Sequence, residues 1–473
     1  MASMAKKLVE SDRACLFAAA GCGKTEEISK AVALSTSGRQ LVLTHTHAGV
    51  RSLRNRFRAM GIPPRQYHVD TIAGWALGCA AAYPTLSGLS DLTPTGDAWR
   101  DVYRAALELV KKPFYRKVLQ ASYDGIFVDE YQDCVSSQHK FIMALADALP
   151  CRVLCDPLQG IFDFQKDDPI VKWQTDIKPN FIRLPDLTTP WRWTNANNQL
   201  GKFLSNLRQA LIQGKPIELR GSPIQWLPCT PNNQRKTCFE LAQANEKSVV
   251  AIHRWSQSAH KFASTLKGLY TSMEEIECKD LMMWSERIEQ AQRLSRPLAV
   301  IDFAAMCMTK VSSELRSVRE QFSKEKKPQI KPNRKHLDII LALLEVVSRD
   351  DMSPVLESLQ LISQINGTVL YRRELWYEMI RAIKAYQADG FDSLRDAAWA
   401  IRDQARRFGR RTGDYRVVSR TLLVKGLEFD HVVVLDADQL DLKNLYVAMT
   451  RGSKSLTVLS KSPLITRGPF AEL

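Results

Sequence analysis

Leu16-Phe17-Ala18-Ala19-Ala20-Gly21-Cys22-Gly23-Lys24-Thr25 is the stretch on which the fold turns. A short apolar run passes into small residues and then into Glu26, Glu27, Ile28, Ala31 and Val32 at helical spacing, so the order strand, loop, helix is predicted. A phosphate-binding loop needs that setting. Backbone N–H groups at Ala20, Gly21 and Gly23 can meet phosphate oxygens, and the small side chains let the backbone come close. Lys24 reaches the β- and γ-phosphates, and Thr25 offers a hydroxyl to Mg²⁺. The first position of the pattern is Ala18, where Gly is more usual. A plain helix start rich in small residues would look the same over so short a span, so the rest of the chain must supply the use of a nucleotide.

The 473 residues suffice for two to four domains. Lys and Arg number 66 against 51 Asp and Glu, a formal charge of +15 that favours a polyanionic partner such as nucleic acid. Ten cysteines occur without a CxxC pair, the closest being Cys151 and Cys155, which reads as reduced thiols and argues against zinc. No apolar run is long enough to cross a membrane, and a soluble cytoplasmic protein is expected.

Outward from the loop, residues 39 to 47 read as a second strand, and a basic helix with Arg51, Arg54, Arg56 and Arg58 follows from Val50 to Met60. His68 to Trp75 read as a strand and turn, and an Ala-rich helical stretch runs to about residue 120. Further strands are predicted at Gly125–Val128 and Arg152–Cys155, then at Ser248–His253, Val417–Ser419 and His431–Leu435. Strands that alternate with helices and end in polar residues predict parallel α/β sheets with the ligand at the carboxyl ends. Residues 280 to 411 read as helical, broken by the basic Lys324–Lys335 segment. This gives a second α/β domain interrupted by a helical insertion.

Asp129-Glu130, directly after Ile126-Phe127-Val128, puts two carboxylates at a strand end. Asp129 suits Mg²⁺, and Glu130 suits orienting and deprotonating a water. Gln159, after the next strand, is placed to sense a γ-phosphate through a neutral amide.

Asp129-Glu-Tyr-Gln-Asp133 and Asp156-Pro-Leu-Gln-Gly-Ile-Phe162 resemble motifs II and III of the UvrD/Rep-like superfamily 1 helicases. Leu41 to His47 resembles motif Ia, Val69 to Ile72 motif Ib and Pro190-Trp-Arg192 motif IV. Ala251 to Arg254 looks like the start of the second motor domain, and Glu277 to Asp280 a signature before its insertion. Val424-Lys-Gly-Leu-Glu-Phe429 and Leu445-Tyr-Val-Ala-Met-Thr-Arg451 are similar to motifs V and VI. The resemblance spans residues 16 to 452 in order. It implies two RecA-like motor domains, 1–75 with 120–215 and 216–280 with 412–473, carrying helical insertions at 76–119 and 281–411.

The resemblance also implies an ATP hydrolase that uses Mg²⁺ and moves on single-stranded or gapped DNA, 3′ to 5′. Arg192 and Arg451 would be arginine fingers, and Glu428 would hold the ribose. Trp191 stands where the family stacks an aromatic on the base, or else is a core Trp beside Pro190. Thr44, His45, Thr71, Phe162 and Phe164 would line the strand's track, although the two Phe rings could equally be alternate buried positions of an edge strand. His45 and His47 lack the carboxylate or thiol company of a metal site. The family's adenine-reading Gln lies upstream of the loop, whereas the first Gln here is Gln40. The short first insertion also suits a DNA-activated ATPase that senses ends or gaps for a partner nuclease, as in Gabija-type antiphage defence. A nucleotide-binding scaffold or small-molecule kinase would leave Lys425 to Glu428 and Tyr446 to Arg451 without a role.

Overall fold

The computed structural model describes residues 3–36, 38–91, 94, 96–162, 167–275, 278–388, 390–408 and 416–470. β1 (Arg13–Phe17), β2 (Gln40–Thr44), β3 (Tyr67–Thr71), β4 (Gly125–Val128), β5 (Cys151–Cys155) and β6 (Ile182–Arg183) form one sheet in the order β3-β2-β4-β5-β1-β6, with every pair parallel. β7 (Ile217–Glu218) pairs antiparallel with the last strand. β8 (Gln225–Pro228), β9 (Val249–His253), β10 (Thr271–Ser272), β11 (Arg416–Arg420), β12 (Phe429–Val434) and β13 (Gly452–Ser460) make a second parallel sheet, β10-β11-β9-β12-β13-β8. The last strand, β14, is Leu464–Ile465. The protein is therefore α/β with two six-stranded parallel sheets, the architecture of two RecA-like domains.

Parallel sheets are covered on both faces, so their central strands are apolar throughout rather than alternating. β2, β4 and β5 are buried at every position. One face of the first sheet packs Phe17, Trp75, Leu109 and Phe141. The other packs Phe57, Phe127 and Leu154 against Leu8, Ile28 and Val32. Each such large apolar side chain contributes about 1.5–3 kcal/mol by leaving water. The helix expected from Val50 spans His47–Ala59, three residues earlier, because the Thr46 hydroxyl caps it by accepting from the Gly49 N–H at 3.0 Å.

The helix Asn198–Gln213 buries Leu200, Leu204, Leu207 and Leu211 in one cluster with Val250, Ile252, Val432 and Val458 of the second sheet. Between β10 and β11 the described residues form helices and no named strand, around a core of their own in which Phe303 and Trp376 stack at 5.7 Å. Arg372 ties this helical unit to the second sheet. Its Nε donates to Glu274 Oε1 at 2.8 Å and its Nη2 lies 2.7 Å from Asp280. The strands that sequence reading passed over include β6 and β10, two residues each, which are edge strands and carry almost no pattern.

Candidate active site

The loop between β1 and the helix Lys24–Leu34 bends because Gly21 and Gly23 adopt φ of 69° and 88°, a region that only glycine enters freely. A Cβ at Gly21 would stand 2.6 Å from a Trp193 ring carbon, and one at Gly23 would stand 3.2 Å from Trp191 Cδ1. The segment Trp191–Thr194 therefore lies directly on the loop. Trp193 is buried and donates from Nε1 to the Gly452 carbonyl at 2.7 Å, whereas Trp191 is 63% exposed.

Lys24 is buried, and its Nζ lies 3.0 Å from Glu130 Oε2. Burial opposes its charge, but Glu130, Asp129 and Asp156 together hold the ammonium above its ordinary value. Asp129 and Glu130 follow β4, as the sequence reading expected. Glu130 takes a left-handed backbone, φ 55°, secured by its N–H to Asp129 Oδ1 at 2.9 Å and by its carbonyl accepting from Asp133 N. Burial, with Glu130 alongside, raises Asp129. Burial would raise Glu130 too, but Lys24 and Lys425 outweigh it and hold that carboxyl below the usual range.

Gln132, which sequence reasoning gave no role, joins these groups to the next strand. Its Nε2 donates to Glu130 Oε2 at 2.5 Å and its Oε1 accepts from Asp156 N at 2.9 Å. Asp156 is fully buried and takes hydrogen bonds from Gln159 Nε2 at 2.9 Å, Arg208 Nη2 at 3.2 Å and the Tyr446 hydroxyl at 3.2 Å.

The second lobe closes the site. Arg451 is buried and donates through Nε to Val447 O at 3.0 Å and through Nη2 to Gln159 Oε1 at 3.1 Å. Burial and the nearby Arg192 lower it to about 10, which leaves it charged at neutral pH. Arg192 donates to Thr450 O at 2.7 Å and pairs with Glu428, which is otherwise exposed. Tyr446 accepts from the Ala20 N–H at 3.2 Å while donating to Asp156, so one phenol links the loop after β1, the first lobe's carboxylate and the helix that leads to Arg451. Tyr446→Phe leaves the Ala20 N–H and Asp156 short of a buried partner. Amide exchange at Ala20, read by mass spectrometry, is expected to quicken about tenfold, and unchanged exchange would show the phenol to be a bystander.

Lys425, quoted within Val424 to Phe429 but assigned nothing from sequence, crosses the lobes as well. Its Nζ lies 2.5 Å from both Asp133 oxygens, donates to the Gln159 carbonyl and sits 4.9 Å from the Phe162 ring centroid. Burial pushes Lys425 down and Asp133 up to about 6, so either group alone would be expensive to keep charged here. Tyr446 and Lys425 lay inside quoted stretches and were within reach. Arg208 sits mid-helix in no recognisable pattern, and no sequence signal marks it.

Thr25 is half-buried at the first turn of its helix. Thr44 is buried at the end of β2, and the Thr71 hydroxyl caps the helix Ile72–Ala82 by accepting from Gly74 N at 2.9 Å. His45 Nε2 lies 3.5 Å from Cys134 Sγ, and burial with Lys425 nearby lowers it to about 4, so the ring is neutral at physiological pH. Phe164 and Glu277 lie outside the described residues. Among the described residues no cluster of three His, Cys, Asp or Glu could hold a metal. Mg²⁺ at a nucleotide needs fewer protein ligands than that, one or two carboxylates with the phosphates supplying the rest. Asp129, raised by its burial and then by Glu130, would be relieved by such a cation, to which Thr25 would offer a hydroxyl.

No helix among the described residues is long and apolar enough to cross a membrane. No curated protein matches the chain. Residues 95–174, which carry Asp129, Glu130, Gln132, Asp156 and Gln159, match the UvrD/REP helicase N-terminal domain, and in this part the chain is similar to UvrD-like helicases.

Proposed function

We propose that the protein hydrolyses ATP between its two sheets and couples this to movement along single-stranded DNA in the 3′ to 5′ direction, as a translocase or helicase of the UvrD-like type. One observation carries the reading. Arg451 of the second lobe meets Gln159 of the first in the same cleft as Lys24 and Glu130, so the hydrolytic site is complete only with both lobes in contact. The triphosphate competes with Glu130 for the Lys24 ammonium, and its binding releases the carboxylate to orient and deprotonate water. Arg192 and Arg451 offset the charge that develops on the γ-phosphoryl group. Gln159 senses that phosphate and passes its state to Arg451. Thr25 and Asp129 would hold Mg²⁺, which would supply charge neutralisation to the phosphates. Trp191 offers a stacking face for the base, and Glu428 leaves Arg192 for the ribose hydroxyls.

Lys425 supplies a route from DNA to the site, since it touches Phe162 on one side and Asp133 and Gln159 on the other. Single-stranded DNA seated near Thr44, His45, Thr71 and Phe162 would change how firmly that lysine holds the lobes. Phosphate release is accordingly expected to rise at least tenfold with saturating single-stranded DNA and little with blunt duplex. Equal rates with and without DNA would remove the motor reading.

A second reading has its own support in the buried Arg372–Glu274 pair, which anchors the helical insertion rather than leaving it to swing. A fixed insertion suits a DNA-activated ATPase that signals ends or gaps to a partner nuclease and unwinds little. Strand displacement measured beside phosphate release separates the two, because turnover without displacement favours the sensor.

A further inference from the structure

We propose that the second lobe binds a free aliphatic polyamine in the pocket between the helix Pro231–Gln243 and the β8 edge of its sheet. The site stands apart from the hydrolytic cleft and does not depend on the function proposed above. The pocket measures about 380 Å³, within the range of small-molecule sites. Thr237, Glu240, Leu241 and Ala244 line one wall at the spacing of a single helical face, and Gln225 of β8 and Thr457 of β13 line another. A helix ordinarily turns such a stripe to its sheet in order to bury apolar side chains. Here the stripe carries polar groups and borders open space. Thr237 is 4% exposed, and its hydroxyl meets no hydrogen-bond partner among the described residues. A buried hydroxyl without a partner is costly, and a polar ligand in the pocket would supply one.

Charge selects the ligand. Glu240 and Glu246 border the pocket, and none of the described residues lining it is a lysine or an arginine. In a chain of charge +15 this is a local reversal of sign. Glu246 is fixed by its backbone, whose N–H donates to Leu241 O at 3.1 Å and whose carbonyl accepts from Arg416 Nη1 at 3.1 Å. Its carboxylate lies 2.9 Å from His431 Nε2, and His431 Nδ1 is 2.8 Å from Ser455 Oγ, another residue of the lining. Glu240 pairs loosely with the largely exposed Lys236 at 3.8 Å, a contact worth little. An ionised carboxylate only accepts and an ammonium only donates, so these walls call for a ligand rich in ammonium groups. Pro223, Leu241 and Leu456 add apolar wall that suits the methylene chain between such groups. A bare divalent ion would leave that wall and most of the volume unused.

Titration calorimetry of spermidine into the full chain, without nucleotide or nucleic acid, tests the site, with excess MgCl₂ present throughout to screen non-specific attraction. The wild type is expected to bind spermidine saturably. Glu240→Gln and Glu246→Gln should each weaken binding about tenfold, the scale of one charge-assisted hydrogen bond. Both side chains reach solvent, so an unchanged melting midpoint confirms that these variants are folded. Thr237→Val should weaken binding about threefold. Its midpoint without spermidine should be unchanged or higher, because the hydroxyl it removes has no partner to lose. A wild type that shows no saturable binding overturns the proposal, as does binding that all three variants reproduce. Trilysine that binds more tightly than spermidine, and is weakened by the same variants, also overturns it and assigns the pocket to the lysines of a partner protein. ATP hydrolysis is no part of the readout, so failure here leaves the motor reading where it stood.

Discussion

Replacing Arg451 by Ala is expected to slow DNA-stimulated ATP hydrolysis about a thousandfold or more, the scale of an arginine finger's contribution, with nucleotide affinity changed only a few-fold. The guanidinium is buried on the helix-to-strand turn before β13, braced by Val447 O at 3.0 Å and Thr450 Oγ1 at 3.0 Å, and reaches Gln159 at 3.1 Å. Burial and Arg192 depress its pKa only to about 10, so the charge is present at every working pH. Lys24 approaches the site from the first lobe, and Arg451 is the matching cation from the second. Arg451→Lys keeps the charge but cannot brace against Val447 and reach Gln159 together, so it should recover only part of the rate. Phosphate release under saturating single-stranded DNA gives the comparison, and binding of a fluorescent ATP analogue shows whether the cleft still forms. An Arg451→Ala protein that binds the analogue and turns over within tenfold of wild type would reduce Arg451 to a tie between lobes.

The parts of this site that sequence made legible are those whose chemistry is local. The glycine-bent loop after β1 shows itself because small residues, a lysine and a helix stand there in immediate succession. Asp129 and Glu130 show themselves because a buried parallel strand is apolar to its last residue and the ligand-facing side chains begin directly after it. What brings Arg451 to Gln159 is a contact across 292 positions, which no window of sequence contains. Resemblance to a known motif order made Arg451 an arginine finger from the far end of the chain, but its bond to Gln159 was in neither reading.

Other features were beyond both kinds of reading. Trp191 and Trp193 differ by two positions in one short helical turn, and only the packing of Trp193 on Gly21 and Gly201 separates the buried ring from the exposed one. Arg208 pairs with Asp156 from the middle of an amphipathic helix, where an arginine would ordinarily face solvent. β6 and β10 are held by neighbouring strands rather than by their own two residues. These are tertiary decisions, made by what the rest of the chain places nearby.

Glu130→Gln should lower turnover by about 10²- to 10⁴-fold, the range expected for loss of a general base, while nucleotide binds as tightly as before or tighter. The protein spends backbone strain to aim this residue. A non-glycine held at φ 55° costs about 1–3 kcal/mol, and the bonds to Asp129 Oδ1 and from Asp133 N keep it there. The amide is nearly isosteric and can still meet Gln132 or Lys24, so the fold should survive. What it loses is the ability to take a proton, and with it the negative charge that faces a triphosphate. Removing that charge eases the approach of the phosphates, which is why affinity should not fall. Lys24→Ala differs in kind, because it removes the cation that binds the phosphates and should weaken nucleotide binding as well as turnover. Single-turnover hydrolysis beside equilibrium binding separates the two variants. Glu130→Gln protein hydrolysing ATP at more than a tenth of the wild-type rate would move the base elsewhere in the cleft, with Asp129 the nearest carboxylate.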